Sequence, residues 1–305
     1  MTTTRIGIVF NPSKGETDAL KAAVAAEVEL PVTWHETSVD DPGVSATRDA
    51  LDAGADLVIA AGGDGTVRAV AEHLADSGAT AELGIVPLGT GNLLARNLGI
   101  PLGDISAALR RALGSEPRTI DIGWADTGSE RRAFAVMAGF GIDAHMIAET
   151  NDDLKDKAGW IAYVESLGRA LSASTVLRLD LTIDGEQREV EAHTLIVGNC
   201  GTLQGGFTLL PDADPSDGEL DLVILDAAGV SGWADTVKNM VWDNGIARLW
   251  SKADEAASTD SVTHARVTSL ELALDEPRIF EVDGDELGEV TRVRIEVQAG
   301  ALRVR

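Results

Sequence analysis

The stretch "LVIAAGGDGTVRAV", Leu57 to Val70, decides the fold. It opens with a continuous run of branched and small apolar side chains, the pattern of a strand covered on both faces. It runs on into "TVRAVAEHLADSG", where apolar side chains recur three and four apart, as on an amphipathic helix that stops at a glycine. Between the two stand Gly62, Gly63, Asp64, Gly65 and Thr66. An ordinary strand-to-helix turn needs only one glycine. Additional glycines let main-chain amides approach a ligand closely. A helix starting at Thr66 or Val67 turns its unsatisfied N–H groups toward the same spot, which attracts phosphate. Asp64 opposes this, because a carboxylate repels phosphate. A magnesium ion, or a proton to be removed, resolves the conflict. The plain alternative is a turn with an aspartate cap.

Outward from this stretch, strand and helix patterns alternate. "RIGIVF", "PVTWHET" and "ELGIVPL" read as further strands. "ETDALKAAVAAEV", "GVSATRDALDAG" (stopped by Gly54), "NLLARNLG" and "DISAALRRALG" read as helices. The rhythm predicts an α/β N-terminal domain over residues 1–123, a parallel sheet with helices on both faces. Ligands of such sheets sit at the carboxyl ends of the strands. Two more polar loops fall there, "FNPSKG" after the first strand and "PLGTGN" after the fourth. Past Gly123 the texture changes. A helical stretch, "LKDKAGWIAYVESLGRALS", precedes the alternating segments "VLRLDLTIDG", "REVEAHTLIVG", "ELDLVILD", "ARVTSLELAL", "RIFEVDGDEL", "VTRVRIEVQ" and "ALRVR". Asp-Gly pairs punctuate them, as hairpins require. This predicts a mainly antiparallel β-sandwich domain over residues 124–299, with the last strand, 300–305, returning to the first domain.

The chain of 305 residues carries 50 acidic and 25 basic side chains, net −25. Such a surface repels nucleic acid and anionic lipid at long range, so no nucleic-acid partner is expected and membrane contact needs a local patch. No apolar run reaches the roughly 18 residues of a membrane span. The start lacks a signal peptide's layout, and the single cysteine, Cys200, excludes an internal disulfide. These features lead us to expect a cytoplasmic protein. The scattered histidines (His35, His73, His145, His193, His264) argue against zinc. The segment 229–252 places Val230, Trp233, Val237, Met240 and Val241 at helical spacing, with Lys238, Arg248 and Lys252 nearby. It reads as a helix packed on a sheet, with transient peripheral membrane contact as the alternative.

"NPSKG", "GGDGT" and "PLGTGN", in that order and spacing, resemble the diacylglycerol kinase catalytic domain family, which includes bacterial lipid kinases and sphingosine kinases. "IDIG", "LKDKAGWIAY", "LPDADPSDGELDLVIL" and "EVDGDELG" extend the likeness over nearly the whole chain. The resemblance implies an ATP-dependent lipid kinase that moves the γ-phosphate to the hydroxyl of a diacylglycerol or sphingoid-like lipid, with Mg2+. It implies ATP binding at Asn11, Pro12, Ser13, Lys14, Gly15, Thr37, Gly63, Asp64, Gly65, Thr66, Val67, Arg68, Ala69 and Thr90. It implies a structural magnesium held by Asp214, Asp217 and the carbonyl of Glu219, where the plain reading is an Asp-Gly hairpin with solvated acids. Asp121, Lys14 and Lys155 resemble a charged network that braces the cleft between domains. The family's general base is a Glu in a D-G-E turn. Here the matching residue is Asp285, with Glu286 beside it, and Asp64 joins it as metal holder or hydroxyl positioner. Leu93 stands where several members carry Asp. Two alternatives stay open: an NAD kinase-like phosphotransferase on a soluble substrate, since GGDGT also occurs there, and a catalytically silent ATP-binding sensor. A homodimer is equally open.

Overall fold

The computed structural model describes residues 5–141, 176–203, 208–226 and 262–305. The helix expected over 154–172, with Lys155, and the tryptophan-rich segment 229–252 lie outside the described residues. The chain divides into two compact units, one of Met1–Ile122, Ala133–Ala135 and Gln298–Arg305, the other of Gly123–Arg132 and Val136–Val297.

The first unit holds strands β1 (Ile6–Phe10), β2 (Val32–Glu36), β3 (Leu57–Gly62) and β4 (Glu82–Pro87). Its helices are α1 (Thr17–Glu27), α2 (Val44–Asp52), α3 (Asp64–Ser77), α4 (Leu93–Asn97) and α5 (Ile105–Gly114). β1 pairs in parallel with β2 and β3, and β3 in parallel with β4. Every residue of β1, β3 and β4 is buried, which is why those stretches read as unbroken apolar runs. Two glycines bring helices close. A Cβ on Gly7 would stand 2.6 Å from the Ala50 Cβ of α2, and one on Gly84 would stand 2.9 Å from the Ala112 Cβ of α5.

α3 begins at Asp64, earlier than the Thr66 or Val67 expected from sequence. Gly63 is extended and acts as N-cap, and an acid in the first turn suits the positive end of a helix. The unit is closed by the end of the chain. Val304 pairs in parallel with Leu83, and Arg305 N donates to the Leu83 carbonyl at 3.0 Å. Glu82 accepts from Arg303 Nη2 at 2.7 Å and also from Arg305 Nε. Gly300 N donates to the buried Asp121 carboxylate at 2.7 Å.

β5 (Arg118–Asp126) and β6 (Arg131–Phe134) carry the chain out of the first unit and back. The second unit then contains β7 (Met137–Phe140), β8 (Leu177–Ile183), β9 (Glu186–Gly198), β10 (Leu220–Asp226), β11 (Val262–Val267), β12 (Ser269–Val282) and the first part of β13 (Asp285–Val304). Its pairings are antiparallel: β11 with β10, β10 with β9, β9 with both β7 and β8, and β12 with β7, β8 and β13. β7, β9, β8 and β12 therefore close a circuit, which leaves those strands no open edge between them. Asp184-Gly185 and Asp283-Gly284 form two-residue turns with φ of 47°, 89°, 48° and 86°. Positive φ at both positions matches the twist of the flanking strands.

The strand count differs from the sequence reading. "SLELAL" and "RIFEV" are one strand, β12, whose register shifts between Ala273 and Arg278, around Pro277. A proline is tolerated at such a shift because the ladder is already interrupted. "VTRVRIEVQ" and "ALRVR" likewise join in β13, 20 residues long. β5, β6 and β7 occupy a region where sequence suggested no strands. Among the described residues no helix is long and apolar enough to cross a membrane.

Candidate active site

The carboxyl ends of β1, β3 and β4 are adjacent in register, so the loops that follow them share one rim. Asn11 N donates to the Ala61 carbonyl of β3 at 3.2 Å, and the Asn11 side chain accepts from Ser13 N at 2.9 Å. These bonds hold Pro12–Lys14 in a short 3₁₀ turn ended by Gly15 at φ 72°. The Lys14 side chain lies outside the described residues. Leu88 N donates to the Gly62 carbonyl at 2.8 Å, joining the second loop to the third. Thr37, after β2, is buried and its N–H bonds the Phe10 carbonyl at 3.0 Å. In α3 the helical ladder starts with Val67 N on the Gly63 carbonyl, 3.0 Å. The amides of Asp64, Gly65 and Thr66 lie ahead of that first bond, on the positive end of the helix.

Asp64 is turned to the neighbouring loop. Its Oδ2 accepts from Asn92 N at 2.8 Å and its Oδ1 from Leu93 N at 2.6 Å. Both oxygens thus face main-chain donors at the start of α4, which offset the carboxylate charge locally. Sequence reasoning missed the partner, Asn92. It sits at φ 49°, accepts from Gly89 N at 2.9 Å and donates from Nδ2 to the Gly89 carbonyl at 2.6 Å. An asparagine before a helix, in a conformation that asparagine tolerates, was the available signal. Arg96 Nε closes the loop on the Gly91 carbonyl, 2.6 Å.

The loops touch through glycine. A Cβ on Gly89 would lie 2.6 Å from the Gly63 Cα, a main-chain atom that yields only if the GGDGT turn moves. Gly89→Ala is expected to bring overpacking strain of about 1–3 kcal/mol and, if the two loops share the ATP that the resemblance implies, to weaken its binding about 10-fold. Equilibrium titration checks this, and unchanged affinity would mean that the two loops do not share a ligand.

The remaining residues that the resemblance assigns to the nucleotide differ in accessibility. Thr90 is exposed, and Gly63, Asp64 and Gly65 are half-buried. Thr66, Val67, Arg68 and Ala69 are buried. Arg68 Nη1 pairs with Glu72 one turn along α3 at 3.0 Å, and Glu72 also accepts from Ala133 N at 3.0 Å. From Thr66 onward, then, the helix faces its own unit, and its upstream amides face the rim.

In the second unit the Asp283-Gly284 turn carries exposed Asp285 and Glu286. Asp285 lies opposite Val282 and Glu286 opposite Glu281, so the two acids leave opposite faces of the strand. The acidic segment 211–219 is a pair of linked turns. Asp214 Oδ1 accepts from Ser216 N at 3.0 Å and Ser216 Oγ at 2.6 Å, and Asp217 Oδ1 accepts from Glu219 N at 3.0 Å. The Glu219 carboxylate reaches Arg266 Nη1 at 3.7 Å. Oxygen donors of this kind fit a hard cation. Among the described residues no three His, Cys, Asp or Glu side chains converge on one ion position.

Beneath this segment lies Asp221, 9 % exposed and opposite Arg266 on β11. Burial pushes its carboxyl up to about 6, against the pull of Arg266 and with Asp212, Asp217 and Glu219 adding to the rise. The folded state therefore holds this proton more tightly than the unfolded chain. The stability this contributes is complete below about pH 4 and is lost as pH rises through about 6. Asp221→Asn should raise stability at pH 8, with a chelator present, by about 1–3 kcal/mol and change little at pH 4. Denaturant melts at both pH values check this, and an equal effect at both would contradict the burial cause.

The family model described as "Diacylglycerol kinase catalytic domain" matches residues 5–125, and that described as "YegS C-terminal NAD kinase beta sandwich-like domain" matches residues 135–305. The chain is 33 % identical over 310 residues to a protein of Pseudomonas aeruginosa (strain UCBPP-PA14) described as "Probable lipid kinase YegS-like", covering 98 % of this chain and 93 % of the relative. It is 31 % identical over 232 residues to the diacylglycerol kinase of Bacillus subtilis (strain 168), covering 74 % of this chain and 75 % of that one. A crystal structure of a diacylglycerol kinase from Bacillus anthracis str. Sterne shares the fold, with a TM-score of 0.71 at 22 % identity over 100 % of this chain and 97 % of the other. The chain belongs to the diacylglycerol kinase catalytic domain family.

Proposed function

We propose that this protein is an ATP-dependent lipid kinase, with ATP held by the first unit and the general base, Asp285, carried by the second. The observation that carries the reading is the rim of the parallel sheet. Three polar loops follow adjacent strands there, two of them are locked together through Asp64 and Asn92, and the first-turn amides of α3 lie beside them. An α/β layer with helices on both faces supports the rim. Gly7 packs on α2 and Gly84 on α5, and they fall on adjacent register rows, whose side chains leave opposite faces of the sheet.

In this reading the amides of Gly63 to Thr66 receive the β- and γ-phosphates. Asn11 to Gly15, Thr37 and Thr90 line the remainder of the nucleotide's path. The lipid hydroxyl attacks the γ-phosphorus, the bond to the β-bridging oxygen breaks, the hydroxyl proton passes to the Asp285 carboxylate, and ADP leaves. Such a transfer requires alignment and charge neutralisation more than covalent help, so few catalytic side chains suffice. Magnesium supplies positive charge against the phosphates when bound, and at the structural position Asp214, Asp217 and the Glu219 carbonyl would hold it with water. Asp64 acts here as the brace between two loops. Diacylglycerol and sphingoid-like lipids are the proposed acceptors, reached by transient contact with a membrane surface from the cytoplasm.

The test is incubation with magnesium, ATP labelled on the γ-phosphate and a total lipid extract. Label that partitions into organic solvent supports the lipid reading. The second family model is described by its likeness to an NAD kinase sandwich, so a soluble acceptor is the competing reading. Label transferred to NAD or a sugar, and remaining in water, would favour it.

A further inference from the structure

We propose that Asp283 is a positioning residue for phosphoryl transfer: its carboxylate fixes the turn that presents Asp285. The proposal rests on the reading of Asp285 as the base. The tip of a two-residue hairpin is ordinarily among the loosest parts of a sheet. This one is anchored. Asp283 Oδ1 accepts from Val136 N at 2.9 Å and from Met137 N at 2.9 Å, and Asp283 N donates to the Met137 carbonyl at 2.9 Å. The ladder below continues the contact, with Val282 opposite Ala138 and Glu281 opposite Gly139. The segment that receives the turn is itself confined. Val136 and Ala138 are buried, and a Cβ on Gly139 would stand 2.2 Å from the Leu195 carbonyl of β9. Hydrogen bonds from main-chain amides to an ionised carboxylate are the stronger kind. Asp285 is two residues from this anchor, so its reach is set by where Asp283 is tied down. A carboxylate one methylene shorter than glutamate has correspondingly less freedom to correct a misplaced turn.

The unit contains its own control. Asp184 heads the other Asp-Gly turn and takes Thr268 N at 3.1 Å and Ser269 N at 2.8 Å in the same manner, but that turn presents no candidate catalytic group. A purely structural role predicts the same consequences for both aspartates, whereas a positioning role separates them.

The experiment compares Asp283→Gly, Asp283→Asn, Asp184→Gly and Asp285→Asn in the full chain, reading kcat, KM for ATP, and amide hydrogen exchange at Val136 and Met137. Glycine keeps the left-handed turn and removes the acceptor, and asparagine keeps one acceptor oxygen. Asp283→Gly should lower kcat about 10- to 100-fold with KM for ATP within about twofold, and should speed exchange at both amides. Asp283→Asn should restore most of both. Asp184→Gly should lower the melting temperature and leave kcat unchanged. Wild-type kcat in Asp283→Gly, with Asp285→Asn inactive, would overturn the positioning role alone. An Asp283→Asn variant as slow as Asp283→Gly while both amides stay protected would also overturn it, because charge and not placement would then matter. Wild-type kcat in Asp285→Asn would remove the base itself, and the proposal with it.

Discussion

Asp285→Asn should lower kcat for lipid phosphorylation about 10²- to 10⁴-fold while ATP binding stays within about twofold. Asp285 is exposed, directly follows a tight turn, and lies in register with Val282. Glu286 follows it, in register with Glu281, and therefore leaves the opposite face of the strand. The two acids are consequently not interchangeable, and Glu286→Gln should retain near-normal turnover. An amide at position 285 keeps the size of the side chain and removes its ability to take a proton, so the loss falls on the chemical step. Single-turnover rates beside ATP titrations check this. If Glu286→Gln is the inactive variant instead, the base has been assigned to the wrong neighbour.

Asp64→Asn should abolish measurable turnover and cost about 1–3 kcal/mol of stability, without unfolding the protein. Asp64 serves two donors, Asn92 N at 2.8 Å and Leu93 N at 2.6 Å, each with a different oxygen. Asparagine can satisfy only one of them and would point its own NH₂ at the other. The GGDGT turn and the Gly-Thr-Gly-Asn loop would lose that brace, and the proposed nucleotide rim its shape. Melting curves and product formation together check this. A variant with full turnover would remove Asp64 from the site, and one with lost turnover but unchanged stability would mean that it acts on substrate and not as a brace.

The first unit was the more legible in sequence. β1, β3 and β4 are covered on both faces, so each shows as an unbroken apolar run, and the helices between them show the 3.6-residue spacing. The second unit was legible in type but not in its divisions. Asp-Gly between alternating segments favours a turn with two left-handed residues, so the hairpins at 184–185 and 283–284 were readable. Pro277 in β12 and Gly300 in β13 resemble breaks, but the first falls at a register shift and the second is accommodated at φ 61°, so both strands run on. "AFAVMAGFG", where β6 ends and β7 follows, shows no alternation because both strands there are buried on both sides. At the rim, the glycines pointed to a phosphate ligand, but the destination of the Asp64 carboxylate did not follow from them. Its partners lie 28 and 29 residues away, and only the parallel register of β3 and β4 brings them together.

A crystal of the protein grown with magnesium and a non-hydrolysable ATP analogue tests most directly whether the ends of β1, β3 and β4 form the nucleotide site. The expected result is a terminal phosphate within about 3 Å of the main-chain nitrogens of Gly63 to Thr66. A nucleotide bound away from that rim, with those amides facing only solvent, would contradict it.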